Sequence, residues 1–277
     1  MVGQTSVMAR ATRPPLTDPP ATDGRTSPAD AQRRQRLRLL GVAAAVAVLV
    51  VAVLVGVGSF KRDPAADGSR TTVRGVEIRG ADETAALLRG LPQRGTVLGR
   101  PDAPVTILEV SDLKCPSCKE HAIETQPEIV ERLVRTGRAN LRMVLANFRD
   151  PARATTDGAL ARRVAYGLVA ADRFWGFVQT TFWNQGDTRE EWATEPLLRS
   201  IAEAAPGTTG GQVVVRETPD SRALTVADDR IIRALGTDAT PSVYVVPRGA
   251  TTGPRVSAFD DVDAIARAVD RVAPRSR

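Results

Sequence analysis

Three hydrophobic patterns divide this 277-residue chain. The first is an unbroken apolar run over residues 39–60, 22 residues of mostly Val, Ala and Leu with no charge. A helix of that length spans a bilayer. The second pattern is short and β-branched. Residues 105–110 (Val-Thr-Ile-Leu-Glu-Val), 141–146 and 242–246 read as strands, with 255–259 a candidate fourth. The third has helical spacing. Ala122, Ile129, Val130, Leu133 and Val134 predict a helix from about residue 115 to 135, which Pro127 should kink and Gly137 should end. Ala85, Leu87 and Leu88 predict a short helix within 82–90. Further helices follow around Ala159–Val169 positions, around the aromatic stripe Phe174, Trp175, Phe177 and Phe182, and over 196–204 with Thr194 as cap. Residues 226–235, closed by Gly236, and a final helix through Ile265 and Val269, capped by Asp260, complete the set. Residues 206–224 fit either a strand through Val213–Val215 or a short helix.

The order strand, helix, strand, helices, strand, strand, helix predicts an α+β sandwich with a helical insertion at about 154–224. The domain plan is a disordered tail over 1–38, a transmembrane anchor over 39–60, a linker over 61–86 and a folded domain over 87–277. Hydrophobic residues make up 42% of the chain, enough for a core, whereas aromatics are only 4%, so Ala, Val and Leu must fill it. Four of the six net positive charges fall within residues 1–60, which carry seven Arg and three Asp. Arg33, Arg34, Arg36 and Arg38 flank the start of the apolar run, against Lys61 and Arg62 at its end. The more basic side stays in the cytoplasm, which places the remainder outside. A cleaved signal peptide is the alternative, with Gly56 and Gly58 offering a small-residue site. No basic, aromatic-interleaved patch suggests nucleic-acid binding.

The only cysteines are Cys115 and Cys118, in the tetrapeptide Cys115-Pro116-Ser117-Cys118 where the first strand gives way to the long helix. Pro116 suits a first helical turn, because its missing N–H would be unpaired there in any case. The free N–H groups of that turn stabilise a thiolate at Cys115. Cys118, one turn further in and less exposed, is close enough to close a disulfide. That spacing provides an attacking and a resolving sulfur. A zinc site needs about four ligands, and the chain adds only His121 to its two thiols. A structural disulfide would close too short a ring to stabilise much. Two inert thiols form the other alternative.

Strand, Cys-Pro-Ser-Cys, kinked helix, helical insertion, Thr240-Pro241, hairpin and final helix together resemble the DsbA-like thiol–disulfide oxidoreductases of the thioredoxin superfamily. The stretch from Leu98 to Cys118 is especially similar to membrane-anchored or exported members. The resemblance implies a thioredoxin-like fold, Cys115 as nucleophile and Cys118 as resolver. It also implies a cis Pro241 beside them, with Pro116, Ser117 and the Thr240 backbone meeting the substrate peptide. Glu109, six residues before Cys115, falls where such proteins often place an acidic group beneath the active site, able to accept the Cys118 proton. Ser117 stands where strongly oxidising members carry His, which predicts weaker thiolate stabilisation and a less oxidising disulfide. His121 lies about 240° round the helix from Cys115, so it is expected at the surface or behind the site.

The leading expectation is an anchored, extracytoplasmic enzyme that forms, reduces or reshuffles disulfides in exported cysteine-containing proteins. A membrane redox partner would recycle it, and no metal or cofactor is expected. The rival is a non-catalytic thioredoxin-like binding or chaperone module whose cysteine pair reports redox state.

Overall fold

The structure is a computed structural model that describes residues 40, 63, 65–207 and 216–273. Residues 1–61 and 62–277 are separate units. The tail expected over 1–38, nearly all of the anchor expected over 39–60, and Val213–Val215 lie outside the described residues. Among the described residues, no helix is long and apolar enough to cross a membrane.

The centre of the second unit is β5, Val105–Ser111, six of whose seven residues are buried. It pairs in parallel with β6, Asn140–Leu145, and antiparallel with β7, Ser242–Pro247. Outside these lie β4, Val97–Leu98, beyond it β3, Gln93–Arg94, and on the far edge β8, Arg255–Val256. The six strands run in the order β3-β4-β6-β5-β7-β8. The fourth strand expected over 255–259 is thus real but only two residues long.

A strand buried on both faces needs a helical layer on each. On one face, Val105 and Ile107 meet the long helix α2, residues 116–134, and the last helix α8, Val262–Val272. On the other, Leu108 and Val110 pack with Ile231, Ile232 and Leu235 of α7, Pro219–Leu235. Each fully buried aliphatic side chain stabilises by about 1.5–3 kcal/mol, which makes the two faces of β5 the energetic centre of the domain.

Helix α2 runs in succession through Pro116–Glu120, His121–Thr125, Gln126–Ile129 and Val130–Val134. It passes Pro127 without stopping because the second and fourth segments are wide, π-type turns. The Gln126 N–H reaches back five residues to the His121 carbonyl, and the Arg135 N–H likewise to Val130. The wider turn accommodates the proline's missing donor and ring. Gly137, at φ 75°, ends the rod as expected.

The insertion comprises α3, Arg149–Arg153, α4, Asp157–Gly167, α5, Phe174–Trp183, and α6, Glu195–Ala204. Helix α7 starts at Pro219, seven residues before the start expected from its apolar periodicity. The cause is local: Thr218 accepts from the Ser221 N–H while Ser221 accepts from the Thr218 N–H, a reciprocal cap. Thr194 occupies the cap position of α6, but its side chain accepts no capping bond. The cap of α8 is Asp261, which accepts from the Ala264 N–H, rather than Asp260.

The segment expected as a linker over 61–86 is largely ordered structure. A hairpin of β1, Arg70–Val73, and β2, Val76–Arg79, precedes α1, Ala81–Leu88. Its turn, Arg74-Gly75, has positive φ at both positions, 53° and 78°, the conformation that a tight two-residue hairpin requires. Ile78 is fully buried. The Asn184 amide pairs with both backbone groups of Arg79, at 3.0 and 2.9 Å. A Cβ on Gly80 would fall 2.0 Å from Trp183, so the hairpin can seat against the end of α5 only through a glycine.

Candidate active site

The strand β5 delivers the chain to a short turn, and the turn delivers Cys115 to the start of α2. Cys115 is the residue before the first helical turn, with extended backbone, and Pro116 is the first residue inside. The N–H groups of Cys118 and Lys119 both donate to the Cys115 carbonyl. Register then brings the other half of the site. Val110 opposes Ser242 across the β5–β7 pair, so Thr240-Pro241, just before β7, lies beside the turn that carries Cys115. The Thr240–Pro241 bond is cis. As a thiol, Cys115 donates from Sγ to the Thr240 carbonyl at 3.3 Å. Pro116 and Ser117 are exposed.

Both cysteines are free and buried. The expectation of an exposed Cys115 and a sheltered Cys118 is corrected on this point: their exposures are 0% and 1%. They differ instead in electrostatics. The Cys115 thiol is lowered to about 5, first by the hydrogen bond from Cys118 and then, against the opposing effect of burial, by the Thr240 hydroxyl and the Arg149 guanidinium. Burial and the neighbouring Cys115 push the Cys118 thiol upward. One proton shared between two sulfurs therefore rests on Cys118 and leaves the negative charge on Cys115.

Asp112 organises the turn. Its Oδ1 accepts from the Lys114 N–H at 2.8 Å, and its Oδ2 accepts from Phe148 and Arg149, at 2.7 and 3.0 Å. Its own N–H donates to Cys118 Sγ at 3.4 Å. One buried carboxyl thus joins the cysteine turn to the loop after β6. Burial raises its pKa despite these donors.

Lys114 is fully buried. Its ammonium donates to Asp157, to Thr155 Oγ1 at 2.7 Å and to the Glu190 carbonyl at 3.1 Å, with Asp150 at 3.5 Å. These partners all belong to the insertion, which is thereby fastened to the residue preceding Cys115. From the same region Gln185 donates to the carbonyls of Leu113 and Cys115, at 2.8 and 3.2 Å.

Glu109 is 1% exposed and points to the α2 face of the sheet, the side shared by Ile107 and Ser111. Two strand residues separate it from Ser111 by about 7 Å, and Ser111 hydrogen-bonds Cys118. Glu109 Oε1 lies 3.0 Å from His121 Nε2, and Gln126 donates to Oε2 at 2.5 Å. Gln179 of α5 donates in turn to Gln126. His121 does face away from Cys115, but it is buried at 4% exposure rather than superficial. Of the two places expected for it, the surface or behind the site, it takes the second, with its ring against Phe259 and Glu109.

Asp112, Lys114, Arg149, Gln126 and Gln185 complete the site and were not anticipated. For Asp112 and Lys114 a signal existed: two charges in the otherwise apolar lead into Cys115. For Arg149 none did, since only the loop geometry brings it to the sulfur.

Comparison with known proteins agrees with this geometry. A family model described as Thioredoxin matches residues 92–260, more than half of the chain. Disulfide bond formation protein D of Bacillus subtilis is 31% identical over 152 residues, covering 54% of this chain and 66% of that protein, just under two thirds. A probable disulfide bond formation protein D of Bacillus cereus is 29% identical over 176 residues, covering 63% and 76%. The crystal structure of oxidised BdbD from Bacillus subtilis superposes with a TM-score of 0.53 at 28% identity, over 64% of this chain and 91% of that one. The chain belongs to the thioredoxin family and is similar within it to disulfide bond formation proteins D, with the α+β fold and helical insertion that its β-strand and helix order predicts.

Proposed function

We propose that the protein exchanges disulfides with exported cysteine-containing proteins, outside the cytoplasm, through a Cys115–Cys118 dithiol. The observation that carries this reading is the pair of free sulfurs at the head of α2, Cys115 bonded to the Thr240 carbonyl beside the cis bond and Cys118 to the Asp112 N–H. In the oxidising direction, a substrate thiolate attacks Cys115 Sγ and the Cys115–Cys118 bond breaks. Cys118 leaves and takes up a proton. A second substrate thiolate then attacks its own mixed disulfide, and Cys115 leaves as a thiolate. The substrate has lost two electrons and the dithiol holds them. Running the steps backwards reduces a substrate disulfide. A membrane redox partner would remove the electrons in the oxidising cycle.

Pro116, Ser117, Thr240 and Pro241 are assigned to substrate docking. Pro116 and Ser117 are exposed beside the sulfurs, and Thr240 already meets Cys115. Glu109 is assigned to the proton of Cys118, because it is a buried acidic group on the same face as Ser111, with His121 and Gln126 fixing its two oxygens. Glu109→Gln should slow the step in which Cys118 must lose its proton by roughly tenfold, as expected for general-base participation at the lower end of its usual range. Single-turnover exchange rates that match the parent across the neutral range would remove Glu109 from the mechanism.

The uncharged run over 39–60 and its arginine-rich leading flank support an anchored domain facing outward. Protease added to spheroplasts should digest the chain beyond Lys61. A protected domain with a cleaved N-terminal tail would reverse the orientation.

A further inference from the structure

We infer that Arg149 is the cation that holds the Cys115 thiolate, and that it biases the dithiol toward its reduced form, the direction of an oxidant. The inference rests on the dithiol reading of Cys115 and Cys118.

The residues between the cysteines carry no charge, so a cation must come from elsewhere. Three basic side chains flank Cys115 in sequence and a fourth reaches it in space; the first three are committed. Lys114 is enclosed by Asp157, Asp150, Thr155 and the Glu190 carbonyl. Lys119 pairs with Asp63 at 2.7 Å. His121 meets Glu109. The fourth, Arg149, places Nη2 3.6 Å from Cys115 Sγ, within hydrogen-bond reach of a sulfur. Among the described residues, its guanidinium donates to no other group.

Its placement is built. Arg149 begins α3, and its N–H is held by Asp112, the residue that also fixes the Lys114 N–H and donates to Cys118. Asp112 therefore sets the guanidinium and the cysteine turn in one frame. The other groups facing Cys115 are Cys118 from its own helix and the neutral Thr240 before β7. Asp112 lies in the preceding turn and adds repulsion rather than stabilisation to a thiolate there.

The contact between Arg149 and Cys115 joins two opposite charges only when the sulfur is a thiolate. A disulfide sulfur is neutral and accepts weakly, so the contact is lost on oxidation. Reduction of the Cys115–Cys118 bond by two thiols puts two electrons on the pair. One proton stays on Cys118 and the other passes to solvent, because Cys115 is released as an anion. Stabilising that anion draws the whole exchange toward reduced protein and oxidised substrate. A carbonyl and a guanidinium thus share Cys115 between its two protonation states: the thiol donates to Thr240, and the thiolate accepts from Arg149.

The test is Arg149→Gln in the full chain, with Arg149→Lys beside it, equilibrated against reduced and oxidised glutathione. Thiolate absorbance is followed as a function of pH. Arg149→Gln should lower the equilibrium constant for reduction of the protein about tenfold, which is about 30 mV for a two-electron couple. The thiolate transition should move to higher pH by about one unit. Arg149→Lys, which keeps the charge, should recover part of both shifts. In the parent, rising salt should weaken the same preference, because Arg149 is partly exposed. An Arg149→Gln protein that keeps its circular dichroism, its equilibrium constant and its thiolate transition would overturn the inference. Absence of any thiolate transition in the parent would instead bring down the dithiol reading beneath it.

Discussion

Cys115→Ser should abolish disulfide exchange, whereas Cys118→Ser should leave attack intact and trap its product. The two sulfurs share one proton, and only Cys115 stands at the helix start with Arg149 and the first-turn N–H groups around it. Without Cys115 no thiolate forms where substrate docks, and Cys118 is both buried and held protonated. The loss should reach the assay background, at least about a thousandfold, since nucleophile removal eliminates the covalent route. Without Cys118 a substrate disulfide still captures Cys115, but nothing resolves the mixed disulfide. Non-reducing gels of cells expressing Cys118→Ser should show adducts through Cys115 that dithiothreitol removes. Activity that survives Cys115→Ser, with no adducts from Cys118→Ser, would dismantle the assignment and favour a binding module with a redox-reporting pair.

Lys114→Met should be the most destabilising single change near the site, lowering stability by about 3–5 kcal/mol. It leaves Asp150 and Asp157, both nearly inaccessible, facing one another without their counter-ion. The two carboxylates keep backbone donors: Gly158 and Ala159 for Asp150, Trp192 and Ala193 for Asp157. These lessen the penalty without removing the repulsion. Urea unfolding should show the midpoint drop with little change in slope, since the same surface is exposed on unfolding. Adding Asp157→Asn to Lys114→Met should restore part of the loss, the coupling expected of groups in direct contact. A loss below about 1 kcal/mol, the ordinary scale for an exposed pair, would show that the ammonium is not the counter-ion it appears.

The parts of the fold legible in advance are those set by local chemistry. The strand 105–110, the helix start at Pro116 and the termination at Gly137 follow from β-branching, a proline at the first turn and a glycine in left-handed conformation. The Thr240-Pro241 pair was legible only through family resemblance, because nothing local distinguishes it from an ordinary strand opening. The hairpin at 70–79 was hidden by its composition. Arg, Thr and Glu look like linker residues, and the side chain that fixes the hairpin, Asn184, is more than 100 residues away. His121 faces away from Cys115 as the helical wheel predicts, but its burial against Glu109 and Phe259 depends on other elements that local pattern does not place. Arg149 was invisible for a related reason. Its role depends on two loops joined through Asp112, a distance in sequence of 37 residues.

The full cover over Cys115 changes what a chemical probe of this site measures. A sulfur with no accessible surface reacts only during excursions that uncover it, so its observed rate is the product of an open fraction and an intrinsic rate. The reasoning is that of amide exchange, transferred from a backbone proton to a side-chain sulfur. A low thiol pKa enlarges the intrinsic factor and leaves the open fraction untouched. Reagents of equal electrophilicity should therefore rank by girth, because wider ones await rarer openings, and the ratio of slim to bulky rates gives the site a protection factor of its own. A cysteine peptide seated on Pro116, Ser117 and Thr240, as proposed above, would be the natural opener, so that the barrier that slows a stray oxidant would be one that a substrate lowers as it docks.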